Sequence, residues 1–176
     1  MIDAGGYGAV SMEAIARAAG VTKPVVYDLF GDLGALLGAL LEREEERAFA
    51  QLGEAIPARP ATDPDQLAVD AFIAFMRAVA SRPASWRLIL MPAESTPAVV
   101  RDHVEAGREQ IRARVAELVT WGVEARGGPA GLDVELAAQS LVAVGEHLGR
   151  LVLTRPGEFT PERAGAFVEG LLAALE

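Results

Sequence analysis

The chain has 176 residues, no cysteine, 51% hydrophobic residues and a formal net charge of −9. Its length and apolar content fit a folded globular protein with a sizeable core and exclude a disordered one, and the absence of cysteine excludes a disulfide framework and a thiolate metal site. No apolar run reaches the ~20 residues that a membrane span requires, and the opening MIDAGGYGAV lacks the basic region and apolar core of a signal peptide, so a soluble, cytoplasmic protein without a membrane partner is expected.

Taken from its start, the chain first shows two short helical signals between Ser11 and Phe30. Ser11 is a helix N-cap, because its hydroxyl can accept a backbone N–H that has no partner within the helix. Ile15 and Ala19 then form an apolar stripe at i and i+4. Gly20 stops the helix, since glycine takes the left-handed C′ conformation without steric cost. Val21 is expected to turn inward. Thr22 caps a second helix, whose first turn tolerates Pro24, and Val26 and Phe30 supply its buried face. Ala16 and Gly20 are small enough to let the two helices cross closely. Two short helices joined by a glycine-containing turn match the helix-turn-helix, whose second helix enters the DNA major groove. An ordinary helical hairpin has the same spacing, so the pattern alone leaves both readings open.

On the DNA reading, six residues are candidate contacts. Lys23, the only lysine in the chain, sits at the N-terminal edge of the second helix beside Pro24. Thr22 and Tyr27 offer hydroxyls to phosphate, Arg17 reaches the backbone from the first helix, and Val25 faces outward toward a thymine methyl. The charge balance runs the other way. Residues 1–38 hold Arg17 and Lys23 against Asp3, Glu13, Asp28 and Asp32, a balance of −2 where a nucleic-acid domain normally carries a basic footprint.

Helical signals continue to the end of the chain, and no segment shows sustained strand alternation. A long helix is expected over about Leu33–Ala55, with Leu36, Leu37, Leu40 and Leu41 inward and the run from Glu42 to Arg47 solvated. Residues 56–64, with three prolines, form a loop. Asp63 or Asp65 caps a helix to about Ser81, and a short helix runs from Ala84 to about Met91. Thr96-Pro97 opens a helix to about Arg126, ended by Gly127-Gly128-Pro129. The last two helices cover Leu132 to Thr154 and, from Thr160-Pro161, the C-terminal segment.

These last helices are read as a dimer seam. Ala138, Leu141, Gly145, Leu148 and Val152 are spaced 3, 4, 3 and 4, and Gly145 and Gly149 cost helix propensity that a closely approaching helix would explain. On the final helix, Phe167, Gly170, Leu171 and Ala174 extend the seam. Packing within one chain is the competing reading of both stripes. A small-molecule site is sought among Phe72, Met76, Trp86, Leu90, Trp121 and His147, which as a set suit an apolar or aromatic ligand; each alone also suits plain core. Catalysis is not expected. His103 and His147 lie on different predicted helices, Glu146-His147 lacks a second histidine one turn away, and no cofactor or metal site is read.

The run from Gly6 to Glu42 resembles the N-terminal domain of TetR-family transcriptional regulators. The matching residues are Gly6-Tyr7, Ser11, Ile15-Ala16, Ala19-Gly20-Val21, Thr22-Lys23-Pro24, Tyr27, Phe30-Gly31 and Leu36-Leu37. The resemblance implies an all-α fold, with a DNA-binding domain over 1–38 and a helical ligand-binding and dimerisation domain over 39–176. It further implies a homodimer on a pseudo-palindromic double-stranded operator, acting as a repressor released by a small-molecule effector. Three features depart from the family pattern. Leu29 stands where the family often has histidine, Leu33 lies near where it often has a phosphate-contacting lysine, and only Met1–Ala4 represent the helix that precedes the Gly-Tyr turn. They leave a second reading open, a helical small-molecule-binding or interaction protein whose DNA head is vestigial.

Overall fold

Capping residues set most of the helix ends in the computed structural model, which describes residues 10–55, 63–92, 96, 98–128 and 131–174. Among these residues are eight α-helices and no strand: α1 (Met12–Ala19), α2 (Lys23–Phe30), α3 (Leu33–Ala55), α4 (Pro64–Ser81), α5 (Pro83–Leu90), α6 (Ala98–Arg126), α7 (Val134–Thr154) and α8 (Pro161–Ala173). The all-α expectation holds, with helix ends within two residues of those read from caps and breakers. The side-chain oxygens of Asp63, Asp133 and Thr160 accept backbone N–H groups in the first turns of α4, α7 and α8, satisfying donors that a helix start leaves open. The expected Gly-Tyr turn, Pro97 and Pro129 lie outside the described residues.

Three apolar clusters hold the helices together. Met12, Ala16 and Val26 join α1 to α2, with Ile15, Leu33 and Leu36 packed around them. Leu37, Leu41, Leu88, Val100 and Val104 join α3, α5 and α6. The largest cluster centres on Met76, Val79, Trp86, Leu90, Val152 and Leu153, with Phe75 edge-on to Trp86 at a ring separation of 5.2 Å. Leu33 packs into both of the first two clusters, so the start of α3 belongs to the two-helix head and to the body alike. At the far end of the body, Arg126 and Asp65 form an ion pair between the end of α6 and the start of α4.

The long helix α3 carries one departure from the expected solvated run. Glu44 is only 9% exposed. Its carboxylate accepts hydrogen bonds from Ser85 Oγ at 2.7 Å and from Arg47 and Arg43 at 2.9 and 3.1 Å. The Ser85 hydrogen bond, with further help from the arginines, holds its carboxyl below the ordinary value against the opposing effect of burial. Burial of a charge is tolerated here because it is paired and hydrogen-bonded, and the bond ties α3 to α5. Its partner lies 41 residues away, so the local run of charges gave no sign of it.

Two glycines mark close approaches within the chain. A Cβ on Gly149 of α7 would come within 2.8 Å of Leu90, and one on Gly165 of α8 within 2.5 Å of Ile73. α7 and α8 therefore lie tight against α5 and α4.

Candidate nucleic-acid interface

The two-helix head is built by its caps. Ser11 takes an extended conformation and its hydroxyl accepts the Ala14 N–H at 3.2 Å. At the other end of α1, Gly20 has φ +69°, its N–H donates to Arg17 O, and the Val21 N–H donates to Ala16 O at 3.0 Å. That pair of bonds is a Schellman closure, which requires the left-handed residue that glycine supplies. The tight turn brings α2 across α1 within three residues. Asp32 then caps α3, accepting the Ala35 N–H at 2.8 Å.

The inward faces differ in detail from the expected ones. Met12 and Ala16, not Ile15 and Ala19, form the buried stripe of α1, and Ala19 is exposed. The Schellman closure leaves the Val21 side chain 43% exposed instead of inward, and Phe30, at the last position of α2, is 37% exposed. Thr22 occupies the N-cap position of α2, but its side chain makes no capping hydrogen bond.

All six candidate contact residues, Arg17, Thr22, Lys23, Pro24, Val25 and Tyr27, are exposed. Five of them are contiguous or nearly so through the turn and α2, and Arg17 lies in the last turn of α1. Such a strip can do two things on a duplex. Its cation and hydroxyls position the head on phosphates, and its apolar side chains meet groove-edge methyl groups. Leu29, 71% exposed at the end of α2, adds a second outward apolar side chain that contact reasoning left out. Sequence reasoning also missed a pairing. Lys23 Nζ lies 2.5 Å from Glu13 Oε1 on α1 and 5.6 Å from the centre of the Tyr27 ring. This hydrogen bond and charge raise the Lys23 pKa and lower that of Glu13.

The ligand candidates divide. Phe72, Met76, Trp86 and Leu90 come together in the largest core cluster between α4, α5 and α7. Trp121 is half-buried on α6 and outside that cluster, and His147 is exposed on α7. Two open clefts lie elsewhere. One, of about 430 Å³, is lined by Val123, Gly128, Leu132 and Val134 where α6 meets α7. The other, of about 200 Å³, is lined by Glu105, Arg108, Arg112, Gln139 and Glu146; Arg108 Nε donates to Glu146 across it at 2.6 Å.

The dimer candidates divide as well. On α7, Gly145, Leu148 and Val152 face the chain's own core, against Phe75 and its neighbours. Leu141 faces outward at 55% exposure, beside Leu136 and Val144. The 3-4-3-4 stripe thus serves the monomer core for most of its length, because α4 and α5 occupy the side it faces. On α8, Phe167, Gly170, Leu171 and Ala174 are all exposed, at i, i+3, i+4 and i+7, with Phe167 at 55%. No group of three or more potential metal ligands occurs among the described residues, and none of their single helices is long and apolar enough to cross a membrane.

Comparison with known proteins gives the head a family. Residues 1–40 match the model for bacterial regulatory proteins of the tetR family. No curated protein matches the chain, but solved structures do over nearly its whole length. A TetR-like transcriptional regulator from Rhodococcus sp. RHA1 is 27% identical, with a TM-score of 0.76 covering 97% of this chain and 86% of that one. The TetR-family regulator PfmR from Thermus thermophilus is 22% identical, with a TM-score of 0.75 covering 96% and 87%. The transcriptional regulator FadR from Bacillus subtilis, solved in complex with stearoyl-CoA, is 16% identical, with a TM-score of 0.81 covering 97% and 91%.

Proposed function

We propose that this chain is a transcriptional regulator of the TetR family, a homodimeric repressor released from its operator by a small apolar or aromatic effector. The observation that carries the DNA part is the exposed strip of Thr22, Lys23, Pro24, Val25 and Tyr27, held on a capped two-helix head. In this reading residues 1–38 form the DNA-binding domain and 39–176 the ligand-binding and dimerisation domain. Lys23, Thr22, Tyr27 and Arg17 hold phosphates, and Val25 and Pro24 lie against base edges.

The exposed face of α8, with Leu141 on α7, supports the homodimer, since large apolar side chains left in water mark interaction surfaces. A two-fold dimer would place its heads on half-sites one or more helical turns apart, hence on a pseudo-palindromic operator. The gathering of Phe72, Met76, Trp86 and Leu90 supports an apolar effector, and the stearoyl chain of the ligand in the Bacillus subtilis structure is in keeping with one. Release then follows if the effector binds better to a state in which the heads no longer match the half-sites, because only differential affinity shifts a population.

A second reading, a helical binding protein with a vestigial head, is favoured by the head's acidic balance. Selection of fragmented genomic DNA on the immobilised chain separates the two. The proposal expects recovery of a fragment with inverted half-sites, bound more weakly as salt rises. Recovery of no fragment above background favours the second reading. Alanine at Lys23 or Tyr27 should weaken the recovered complex while leaving the dimer mass unchanged; unaltered affinity removes that residue from the contact set.

A further inference from the structure

We propose that Glu13 sets the DNA affinity of the head, by competing with backbone phosphate for the Lys23 ammonium; this rests on the DNA-binding reading above. The described part of the head, residues 10–38, holds two basic residues, Arg17 and Lys23, against Glu13, Asp28 and Asp32. Glu13 faces both cations. Its Oε1 is 2.5 Å from Lys23 Nζ, and Arg17, one turn further along α1, adds its charge. The Tyr27 ring lies against the same ammonium. The lysine best placed to meet a phosphate is therefore already engaged by a carboxylate of its own head.

The pair is exposed, with side-chain accessibilities of 48% and 61%, so it is exchangeable and phosphate can replace the carboxylate. Exchange has a consequence that an ordinary lysine contact lacks. A lysine meeting a phosphate releases a condensed counterion from the duplex. When Lys23 leaves Glu13, the freed carboxylate sits beside a phosphate strand and takes up a cation in its turn, which offsets that release. Glu13 also lies in the first turn of α1, where the positive end of the helix dipole favours the ionised carboxylate. The acidic residue thus lowers both the affinity and the salt sensitivity of a head that carries few positive charges.

The test compares the full chain with Glu13→Gln, Lys23→Met and the double variant on the duplex recovered from genomic selection, by fluorescence anisotropy across a salt series. Far-UV circular dichroism confirms that all four remain helical. The proposal predicts that Glu13→Gln binds about two- to fivefold tighter than wild type, with a salt slope steeper by about one. It also predicts that the gain disappears in the Lys23→Met background. An equal gain with and without Lys23 overturns it and assigns Glu13 to general repulsion of the duplex. Unchanged or weaker binding of Glu13→Gln also overturns it, by making Glu13 a residue that positions Lys23. If none of the four proteins binds, the DNA-binding reading fails and this inference falls with it; wild-type binding alone separates the two failures.

Discussion

Gly165 and Glu44 show how much of this fold depends on single atoms. A methyl group on Gly165 would meet Ile73 Cγ1 at 2.5 Å, so α8 must move or Ile73 must leave its rotamer. Alanine normally gains about 1 kcal/mol over glycine inside a helix, whereas overpacking a filled site costs about 1–3 kcal/mol. Gly165→Ala is therefore expected to lower the thermal midpoint, and to lower it less in an Ile73→Ala background, which lacks both carbons that the new methyl would meet; a raised midpoint for the single variant would show that the contact is soft. At Glu44 the hydrogen bond from Ser85 is the largest influence on a carboxyl held below its ordinary value. A depressed folded pKa contributes stability that is present above the unfolded pKa and lost as pH falls through the folded one. Glu44→Gln should cost about 1–2 kcal/mol near neutrality, and the gap between its unfolding curve and that of wild type should narrow as pH falls below the usual carboxylate range. A gap that is constant with pH would remove the charge from the explanation.

At the scale of elements, the head depends on its caps more than on its short helices, which are eight residues each and too short to persist alone. Ser11→Ala removes the acceptor for the Ala14 N–H and is expected to cost about 1 kcal/mol, seen as faster amide exchange in α1 and α2 with little change in α7. Equal loosening of both regions would show that head and body unfold as one unit. Cap and breaker chemistry is local, and for that reason the helix ends were legible in the sequence at Thr160-Pro161 and Gly20, and at α4 to within the choice of Asp63 or Asp65, of which Asp63 is the cap. Facing was less legible. Gly145 and Val152 suit either a partner chain or the chain's own α4 and α5, and spacing does not distinguish them. Phe167 and Leu171 read the same way in sequence and point outward. The candidate contact strip was legible because a helix-turn-helix fixes which positions protrude. Glu13 was legible only as a charge, since its pairing with Lys23 depends on how the Gly20 turn folds α2 over α1.

For the whole molecule, two expectations follow from an exposed apolar face and a gathered aromatic–thioether cluster. Lysine at Phe167 and Leu171 together should shift the sedimentation mass from dimer to monomer without loss of helix content, and a mass that stays dimeric would place the interface elsewhere. A small apolar or aromatic compound that binds the folded state should raise the thermal midpoint with concentration and loosen the DNA complex in the same range; a raised midpoint with undiminished DNA binding would separate ligand binding from release. The central claim is that the strip of Thr22, Lys23, Pro24, Val25 and Tyr27 is carried to a two-fold operator. Footprinting of the full chain on its selected genomic fragment tests that claim most directly. Two protected segments related by inversion are expected, spaced by one or more helical turns, both lost together with alanine at Lys23 and Tyr27. A single unpaired footprint, or protection indifferent to those substitutions, would contradict it.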